Sequence, residues 1–297
     1  MNSPAASDYR PVVILGAGRS GTNMLRDVLC RMPGFGTWPC DEINYIWRHG
    51  NKRVPHDEFG PEHARPEVRR FLDRAFQACA KREGCTTVVE KTCANTLRAG
   101  FVAETLPSHA RFLHIVRDGE DVVASAGKRW TASLDLPYLM RKARFVPKTD
   151  LPYYAFRYLG ARFHRLFDRE GKVSFWGPRY AGMEEDLKTR SLAEVCALQW
   201  ARCVEKCMTD LEQRAADRTL HLRYEDFVAM PAEQLARIGG FLGEDWKDDA
   251  IREAVHTVSG GSVGKGARDL DDAQRTAIDT IVAPLMDRLD VDPRFRA

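Results

Sequence analysis

The sequence predicts an α/β fold of three layers, in which a central, mostly parallel sheet is flanked by helices. Two observations support this prediction. Short apolar runs of strand length alternate with longer segments of helical periodicity, which is the pattern of a parallel sheet covered on both faces. In addition, the apolar runs at 12–15 and 112–116 each pass through a short turn directly into a helical pattern.

The predicted elements alternate along almost the whole chain. Strands are expected at Val12–Leu15, Thr87–Glu90, Arg111–Val116 and Thr219–Leu222. Helices are expected at Thr22–Arg31, Pro66–Lys81, Leu97–Thr105, Glu120–Gly127, Leu192–Ala215, Ala232–Leu242, Asp248–Val255 and Ala273–Arg288. A chain of 297 residues that is 44% hydrophobic can bury one sizeable core, and no internal stretch has the composition of a linker. We therefore expect a single domain over residues 1–297.

The first predicted strand leads into the sequence GAGRSGT at residues 16–22, which predicts a phosphate-binding loop. Glycines allow the backbone to turn sharply and to approach an anion closely. The helix that follows provides backbone N–H groups at its N-terminus. Arg19, Ser20 and Thr22 add a guanidinium and two hydroxyl donors.

The loop differs from an ATP-binding loop at two positions. The pattern G-x-x-x-x-G-K-[ST] fits Gly16 and Gly21, but Thr22 and Asn23 replace the lysine and the hydroxyl that binds Mg²⁺. The fold is thus expected to be P-loop-like, with a phosphate bound without a metal ion.

A second strand-to-helix segment reads FLHIVRDGEDVVAS at residues 112–125. Arg117 comes at the end of the predicted strand, and Ser125 follows eight residues later, about two helical turns on. Whether both side chains reach one phosphate depends on tertiary structure and cannot be decided from periodicity.

Together, GAGRSGTNML and FLHIVRDGEDVVAS resemble the sulfotransferases that use 3′-phosphoadenosine 5′-phosphosulfate (PAPS) as donor and release PAP. The likeness is nearest to the branch that acts on tyrosylproteins and carbohydrates. It implies sulfuryl transfer to an acceptor hydroxyl without a metal ion, and it implies that Arg117 and Ser125 hold the 3′-phosphate. The 5′-phosphosulfate would lie on the first segment, with Gly18, Arg19, Ser20, Gly21, Thr22 and Asn23 as ligands.

Two further segments extend the resemblance. Lys91, in VVEKT, is similar to a lysine at a strand end that reaches the transferred sulfuryl group, although a lone lysine after a strand is ordinarily a surface residue. Tyr224, in HLRYEDF, is similar to a tyrosine near the nucleotide. An aromatic anchor in the core is the alternative interpretation of Tyr224.

The glycine-rich stretch GGSVGKG at residues 260–266 resembles the loop that closes over the donor phosphates in this family. The resemblance implies that Ser262 assists at the bridging oxygen and that Gly264 and Lys265 contact the donor. Gly266 stands where the family commonly has a tryptophan. A flexible connector before the last helix is the alternative.

The general base implied by the resemblance is Glu42, with its neighbour Asp41 in reserve. The acid pair also suits the N-terminus of a helix. Other branches of the family use a histidine, so His49 and His114 are candidates as well, although His114 lies within an apolar strand. Arg19 and Lys91 would stabilise the charge that develops on the leaving phosphate.

Residues 130–180 break the alternation of strands and helices and are expected to be an acceptor-binding insertion. Aromatic clusters broken by proline mix there with basic residues, and residues 128–179 hold 12 Lys and Arg against 4 Asp and Glu, a net charge of +8. Aromatic rings stack on sugars or phenols, while guanidinium groups hold anionic substituents. A solvated basic face and a buried helix face are the alternatives.

Composition and charge limit the partners, the cellular location and the metal sites expected of the protein. The net charge of +3 does not suggest a nucleic-acid partner. A short polar N-terminus and the lack of a long apolar segment predict a cytoplasmic protein without a membrane span. Its eight cysteines form no C-x-x-C pair and no metal site is expected.

The acceptor and the competing functions stay open at this point. A hydroxyl of a carbohydrate, glycolipid or secondary metabolite is the first choice, and a tyrosyl side chain is the alternative. A P-loop kinase would share the first loop but should have a lysine at position 22 and a hydroxyl at position 23. A non-catalytic nucleotide-binding protein would have no reason to place Lys91 and Glu42 beside the loop.

Overall fold

The structure, a computed structural model, describes residues 9–40, 42–131, 144–154, 156 and 176–296. The alternative base Asp41 and most of the expected insertion at 130–180 lie outside these residues.

The described residues form one parallel sheet of five strands, in the order β2-β3-β1-β4-β5. The strands are β1 (Arg10–Leu15), β2 (Phe35–Gly36), β3 (Thr87–Lys91), β4 (Arg111–Val116) and β5 (Thr219–Arg223). All four predicted strands are present. The sequence missed β2, because a strand of two residues has no periodicity to detect.

Helices surround the sheet. They are α1 (Thr22–Leu29), α2 (Asn44–Trp47), α3 (Pro66–Glu83), α4 (Ala99–Thr105), α5 (Gly119–Trp130), α6 (Met183–Thr189), α7 (Leu192–Arg214), α8 (Tyr224–Ala229), α9 (Pro231–Leu242), α10 (Asp248–Val255), α11 (Lys265–Asp269) and α12 (Asp272–Val291). The helix expected from Leu97 begins instead with a 3₁₀ turn over Cys93–Arg98. The glycine-rich stretch ends in a helix, α11, rather than in a connector.

Strand β1 shows why the fold has three layers. Its side chains alternate between the two faces of the sheet, as the pleat requires. Val13 and Leu15 pack into a cluster with the buried side of α3, while Val12 and Ile14 pack into another with α1 and α9. Helices therefore cover both faces, which confirms the predicted fold class.

The long helix α7 supports the sheet from one side. It begins with a capping box in which Ser191 and Glu194 satisfy each other's backbone N–H groups. Its cysteines are buried, and burial raises the pKa of the Cys196 thiol to about 12. Within the described residues, no helix is long and apolar enough to cross a membrane.

The strand order brings three functional segments together. Strand β1 lies between β3 and β4, so the residues that follow β1 emerge between Lys91 at the end of β3 and Arg117 after β4. In an open parallel sheet, ligands bind at the carboxyl ends of the strands, where neighbouring connections diverge. The candidate site therefore lies at this edge.

Candidate functional site

The loop between β1 and α1 is compact and partly strained. The Ser20 N–H donates to the Ala17 carbonyl at 3.1 Å, and Arg19 has φ of 76°, the left-handed region that side chains rarely adopt. Strain of this kind persists only where the surroundings impose it, and it is concentrated at functional sites. Gly21, the residue before α1, has φ of 83°. No side chain caps α1, so its first turn faces the loop with backbone N–H groups alone.

Ser20 is the most informative residue of the loop. Its side chain is fully buried, and its hydroxyl has no hydrogen-bond partner among the described residues. A buried hydroxyl without a partner is costly. The residue is therefore suited to a ligand oxygen at this position.

Aromatic rings approach the loop backbone closely at Gly18 and Gly21. A Cβ atom at Gly18 would lie 2.9 Å from the indole of Trp176. At Gly21 it would lie 2.5 Å from the ring of Tyr224. The two aromatic rings thus pack directly on the loop backbone.

Arg117 connects the loop to the rest of the site. Its Nη1 donates to the Arg19 carbonyl at 3.2 Å, and its guanidinium lies 4.5 Å from the centre of the Tyr224 ring. It also forms an ion pair of 2.9 Å with Asp121 and donates to the Ser262 carbonyl. Arg117 is buried, and the Trp200 indole N–H fixes its backbone by donating to its carbonyl at 3.2 Å.

Ser125 joins the same group of residues. Arg19 Nε donates to Ser125 Oγ at 2.8 Å, so the two turns of α5 between Arg117 and Ser125 bring both side chains to the loop. Tertiary structure thus brings both residues to Arg19, and their binding of one phosphate stays a prediction. Arg117 and Ser125 both contact Arg19.

Glu42 and Lys91 meet on the other side of the loop. Lys91 Nζ lies 3.4 Å from Glu42 Oε1, which also accepts the Cys93 N–H at 3.3 Å. Cys93 Sγ is in turn 3.7 Å from the hydroxyl of Thr22, at the start of α1. The Lys91 side chain is 2% exposed and that of Glu42 is 23% exposed, so the carboxylate is the partner that solvent or an acceptor can reach.

A buried acid that the sequence analysis missed supports the Glu42 segment. Glu90 accepts from the Thr92 hydroxyl at 2.6 Å and from the Asn95 amide at 3.0 Å. Thr92 also accepts the N–H of Ile43, next to Glu42, at 3.2 Å. Desolvation raises the pKa of Glu90 to about 7. An acid in an otherwise apolar strand was the available signal.

Neither histidine candidate for the base contacts these residues in the described structure. His49 pairs with Asp150 at 2.8 Å and packs against the ring of Phe71. His114 is fully buried, 3.0 Å from His221, and desolvation lowers its pKa well below the usual value. His114 is therefore a core residue.

The glycine-rich stretch lies against Arg117 and helix α5. Lys265 Nζ donates to the Ser262 hydroxyl at 3.1 Å, and Gly264 adopts φ of 71°. The N–H groups of Gly264 and Gly266 both donate to Asp121. Asp121 was missed by the sequence analysis, although an acid in the first turn of a predicted helix, four residues after Arg117, was a usable signal.

The segment that carries Trp176 is held by a buried charge network. The Asp57 N–H donates to the Arg179 carbonyl at 2.7 Å, and the Asp57 carboxylate accepts the Arg179 N–H at 3.0 Å. Arg48 and the fully buried Arg98 pair with the same carboxylate at 2.8 and 3.3 Å. Gln199 donates to the Trp176 carbonyl at 3.0 Å. The Trp176 ring is therefore anchored over the loop from several elements.

The site as a whole suits a ligand with more than one negative charge. Arg19, Lys91, Arg117 and Lys265 surround the loop, while the nearby carboxylates of Glu42 and Asp121 are each paired with one of these cations. Cations and backbone N–H groups that are held in place before the ligand arrives stabilise developing negative charge without reorganising. The arrangement can therefore bind phosphate groups and place a carboxylate beside them.

Comparison with known proteins gives one family match. The sequence model described as "Sulfotransferase family" matches residues 11–172 and 169–248. No curated protein matches the chain.

Several solved structures share the fold. The sulfotransferase domain of the Synechococcus PCC 7002 olefin synthase has a TM-score of 0.55 at 16% identity, with 98% of each chain covered. The Alicyclobacillus acidocaldarius sulfotransferase has a TM-score of 0.52 at 17% identity, with 97% of each chain covered. Mouse sulfotransferase SULT7A1, solved with PAP, has a TM-score of 0.52 at 15% identity, with 96% of this chain and 87% of that chain covered. At these identities the likeness shows a common fold.

Two substitutions of Arg19 should separate the effect of backbone strain on stability from the effect of the lost charge. Arg19→Gly and Arg19→Ala both remove the guanidinium and its bond to Ser125, but only alanine must keep the strained φ of 76°. We expect the glycine variant to be more stable than the alanine variant by about 1 kcal/mol. Urea denaturation of both variants measures the difference, and equal stabilities would contradict the strain.

Proposed function

The chain belongs to the sulfotransferase family, and from this we propose that it transfers the sulfuryl group of PAPS to a hydroxyl of its acceptor. The observation that carries the choice of donor is the hydrogen bond of 3.2 Å between Arg117 and the Arg19 carbonyl. It joins the expected 3′-phosphate residue to the expected 5′-phosphate loop. One nucleotide with phosphates on both the 3′ and the 5′ position of its ribose can therefore be held by both.

The residues present fit the donor at its 5′ end. The backbone N–H groups of residues 18–22 are suited to phosphate oxygens, and so is the Ser20 hydroxyl, which has no partner in the described part of the chain. Asn23 follows in the first turn of α1. These residues would hold the 5′-phosphosulfate.

The residues also fit the donor at its 3′ end. Arg117 Nε is buried and has no partner among the described residues, and Ser125, which accepts from Arg19, keeps its own hydrogen for a phosphate oxygen. Lys265 would add a side-chain contact from the glycine-rich stretch, and Gly264 would lie beside the phosphate with its own N–H donated to Asp121. The Tyr224 ring, which packs on Gly21 and Arg117, would form the wall beside the adenosine.

The chemistry follows from the charges around the loop. Bound PAPS would supply an activated sulfuryl group whose departure leaves negative charge on the 5′-phosphate. Arg19 and Lys91 are the cations that would stabilise this charge, and Ser262 would donate towards the bridging oxygen. Glu42 is the base that would take the acceptor hydroxyl proton as the new bond forms. Its carboxylate lies 3.4 Å from Lys91 Nζ, so the proposed base and the proposed cation are next to each other.

The acceptor is proposed to bind between Glu42 and the insertion at 130–180. Trp176 over Gly18 and the aromatic contact between Tyr45 and Tyr154, with ring centres 4.8 Å apart, support this location. Aromatic faces with nearby Arg48 suit a carbohydrate, glycolipid or secondary metabolite that carries an anionic group. A tyrosyl acceptor is the alternative, since the likeness around Arg19, Glu42 and Lys91 extends to that branch.

Donor choice can be tested by ligand binding. We expect PAP to raise the melting temperature of the protein more than ATP with Mg²⁺ does, because position 22 is Thr and position 23 is Asn. Arg117→Ala should weaken PAP binding by about 1.5–3 kcal/mol in calorimetry, the range for a charged hydrogen bond. Arg111→Ala, at the opposite end of β4, is the matched control and should leave PAP affinity unchanged. A preference for ATP would overturn the proposed donor.

The base can be tested by separating binding from turnover. Glu42→Gln should lower sulfate transfer by about 10²-fold or more while PAP affinity stays close to that of the wild type, because the amide cannot accept the proton. Labelled-sulfate transfer to a panel of sugars, phenols and lipids provides the assay. Asp41→Asn is the matched control. Wild-type turnover in Glu42→Gln would assign the role to Asp41 or His49.

The role of the insertion can be tested at Trp176. Trp176→Ala should raise the KM of the acceptor more than the KM of PAPS, because the indole reaches Gly18 from the insertion side. Trp176→Phe keeps an aromatic face and should recover part of the loss. A larger rise in the KM of PAPS would mean that this residue belongs to the donor site.

A further inference from the structure

We propose that Asp121 is a positioning residue that fixes the glycine-rich stretch 260–266 against Arg117, and that this contact makes nucleotide binding depend on the 3′-phosphate. The inference rests on the proposed function. It concerns how the site distinguishes a nucleotide with a 3′-phosphate from one without it.

Both oxygens of the Asp121 carboxylate accept hydrogen bonds, and the donors lie on two separate parts of the chain. Asp121 lies in the first turn of α5 and is 2% exposed. Its Oδ1 accepts the Gly266 N–H at 2.6 Å, and its Oδ2 accepts the Gly264 N–H at 3.0 Å and Arg117 Nη2 at 2.9 Å. A buried carboxylate is tolerated when it has several charged or dipolar donors of this kind.

Arg117 holds the same stretch from its other side. The Nη2 atom that pairs with Asp121 also donates to the carbonyl of Ser262. The ion pair of Arg117 and Asp121 thus binds three residues of the stretch, Ser262, Gly264 and Gly266, through backbone groups alone. Because the contacts are to the backbone, they fix the path of the loop without using the side chains of Ser262 and Lys265, which are hydrogen-bonded to each other.

Gly266 shows that the fit between the stretch and α5 is tight. A Cβ atom at this position would lie 2.5 Å from Glu120 Cβ and 2.8 Å from the Asp121 nitrogen. Backbone cannot move aside as a flexible side chain can, so only glycine allows the stretch to lie this close. The space beside the first turn of α5 that a tryptophan would need is therefore filled by the helix itself.

The contacts of Asp121 should matter for binding of the 3′-phosphate and not of the 5′-phosphate. A 3′-phosphate on Arg117 would meet Gly264 and Lys265 already in place, because Asp121 holds them there before binding. A nucleotide that has only the 5′-phosphate relies on the loop after β1, whose hydrogen bond to this group of residues is made by the Arg19 carbonyl to Arg117 and not to Asp121. Loss of the Asp121 contacts should therefore weaken PAP binding and leave the binding of adenosine 5′-monophosphate nearly unchanged.

Calorimetry with PAP and adenosine 5′-monophosphate tests this on the full chain. Asp121→Asn turns one acceptor oxygen into a donor that opposes the N–H groups, and Gly266→Ala blocks the approach without changing any charge. We expect each variant to lower the preference for PAP over the monophosphate by about tenfold, with monophosphate affinity within about twofold of the wild type. Glu120→Gln removes a carboxylate from the same helical turn and should keep the preference.

Combining the two substitutions gives a second measurement. If Asp121 and Gly266 act through one contact, the double variant should lose no more preference than either single variant. Hydrogen exchange of the Gly264 and Gly266 N–H groups should become faster in both single variants, which is a readout that does not depend on any ligand.

The outcomes that overturn the proposal are distinct. Equal weakening of both nucleotides would mean that Asp121 only stabilises the fold, and tighter PAP binding in Asp121→Asn would mean that the carboxylate competes with the phosphate for Arg117. A preference for PAP over the monophosphate that survives both Asp121→Asn and Gly266→Ala would contradict the positioning role of Asp121. It would leave the proposed function untouched. A wild-type protein that prefers ATP with Mg²⁺ would instead contradict the proposed function.

Discussion

The guanidinium of Arg117 is the group on which the candidate site depends. Arg117 comes directly after the end of β4, the strand that pairs with the central strand β1. Its guanidinium contacts the Arg19 carbonyl, the Asp121 carboxylate, the Ser262 carbonyl and the Tyr224 ring. These four contacts come from four separate segments of the chain. A planar group with five donors in fixed directions can join them, whereas a lysine in its place would reach one or two.

Burial makes this arrangement rigid. Arg117 and Asp121 are both almost inaccessible to solvent, and separating them would leave a charge without compensation in a medium where water cannot supply it. The same constraint operates around Asp57, where Arg48 and the fully buried Arg98 share one carboxylate. Desolvation lowers the pKa of Arg98 to about 10, and the neighbouring Asp57 opposes this shift. One network fixes the residues around Arg117 and the other fixes the segment that carries Trp176.

Local pattern was a good guide wherever a segment's structure depends on its own residues. The apolar runs at β1 and β4 and the glycines of the loop could be interpreted directly, because strand burial and a left-handed backbone each require particular residue types. Strand β2 was missed because its two residues pair with β3 only in the folded sheet. Glu90 and Asp121 were missed because the groups that they help to fix lie far along the chain. Thr92 connects Glu90 to the N–H of Ile43, and Asp121 accepts the N–H groups of Gly264 and Gly266.

The sequence by itself determined the layers of the fold, the glycine-rich loop at residues 16–22 and the membership of a family, since periodicity, glycine positions and motif residues are all local properties. Tertiary structure alone decided that Arg117 and Ser125 reach the loop through Arg19 and that Glu42 meets Lys91. It also decided that His114 lies in the core beside His221. The physical reason is that a strand order of β2-β3-β1-β4-β5 brings together chain ends that no spacing along the sequence relates.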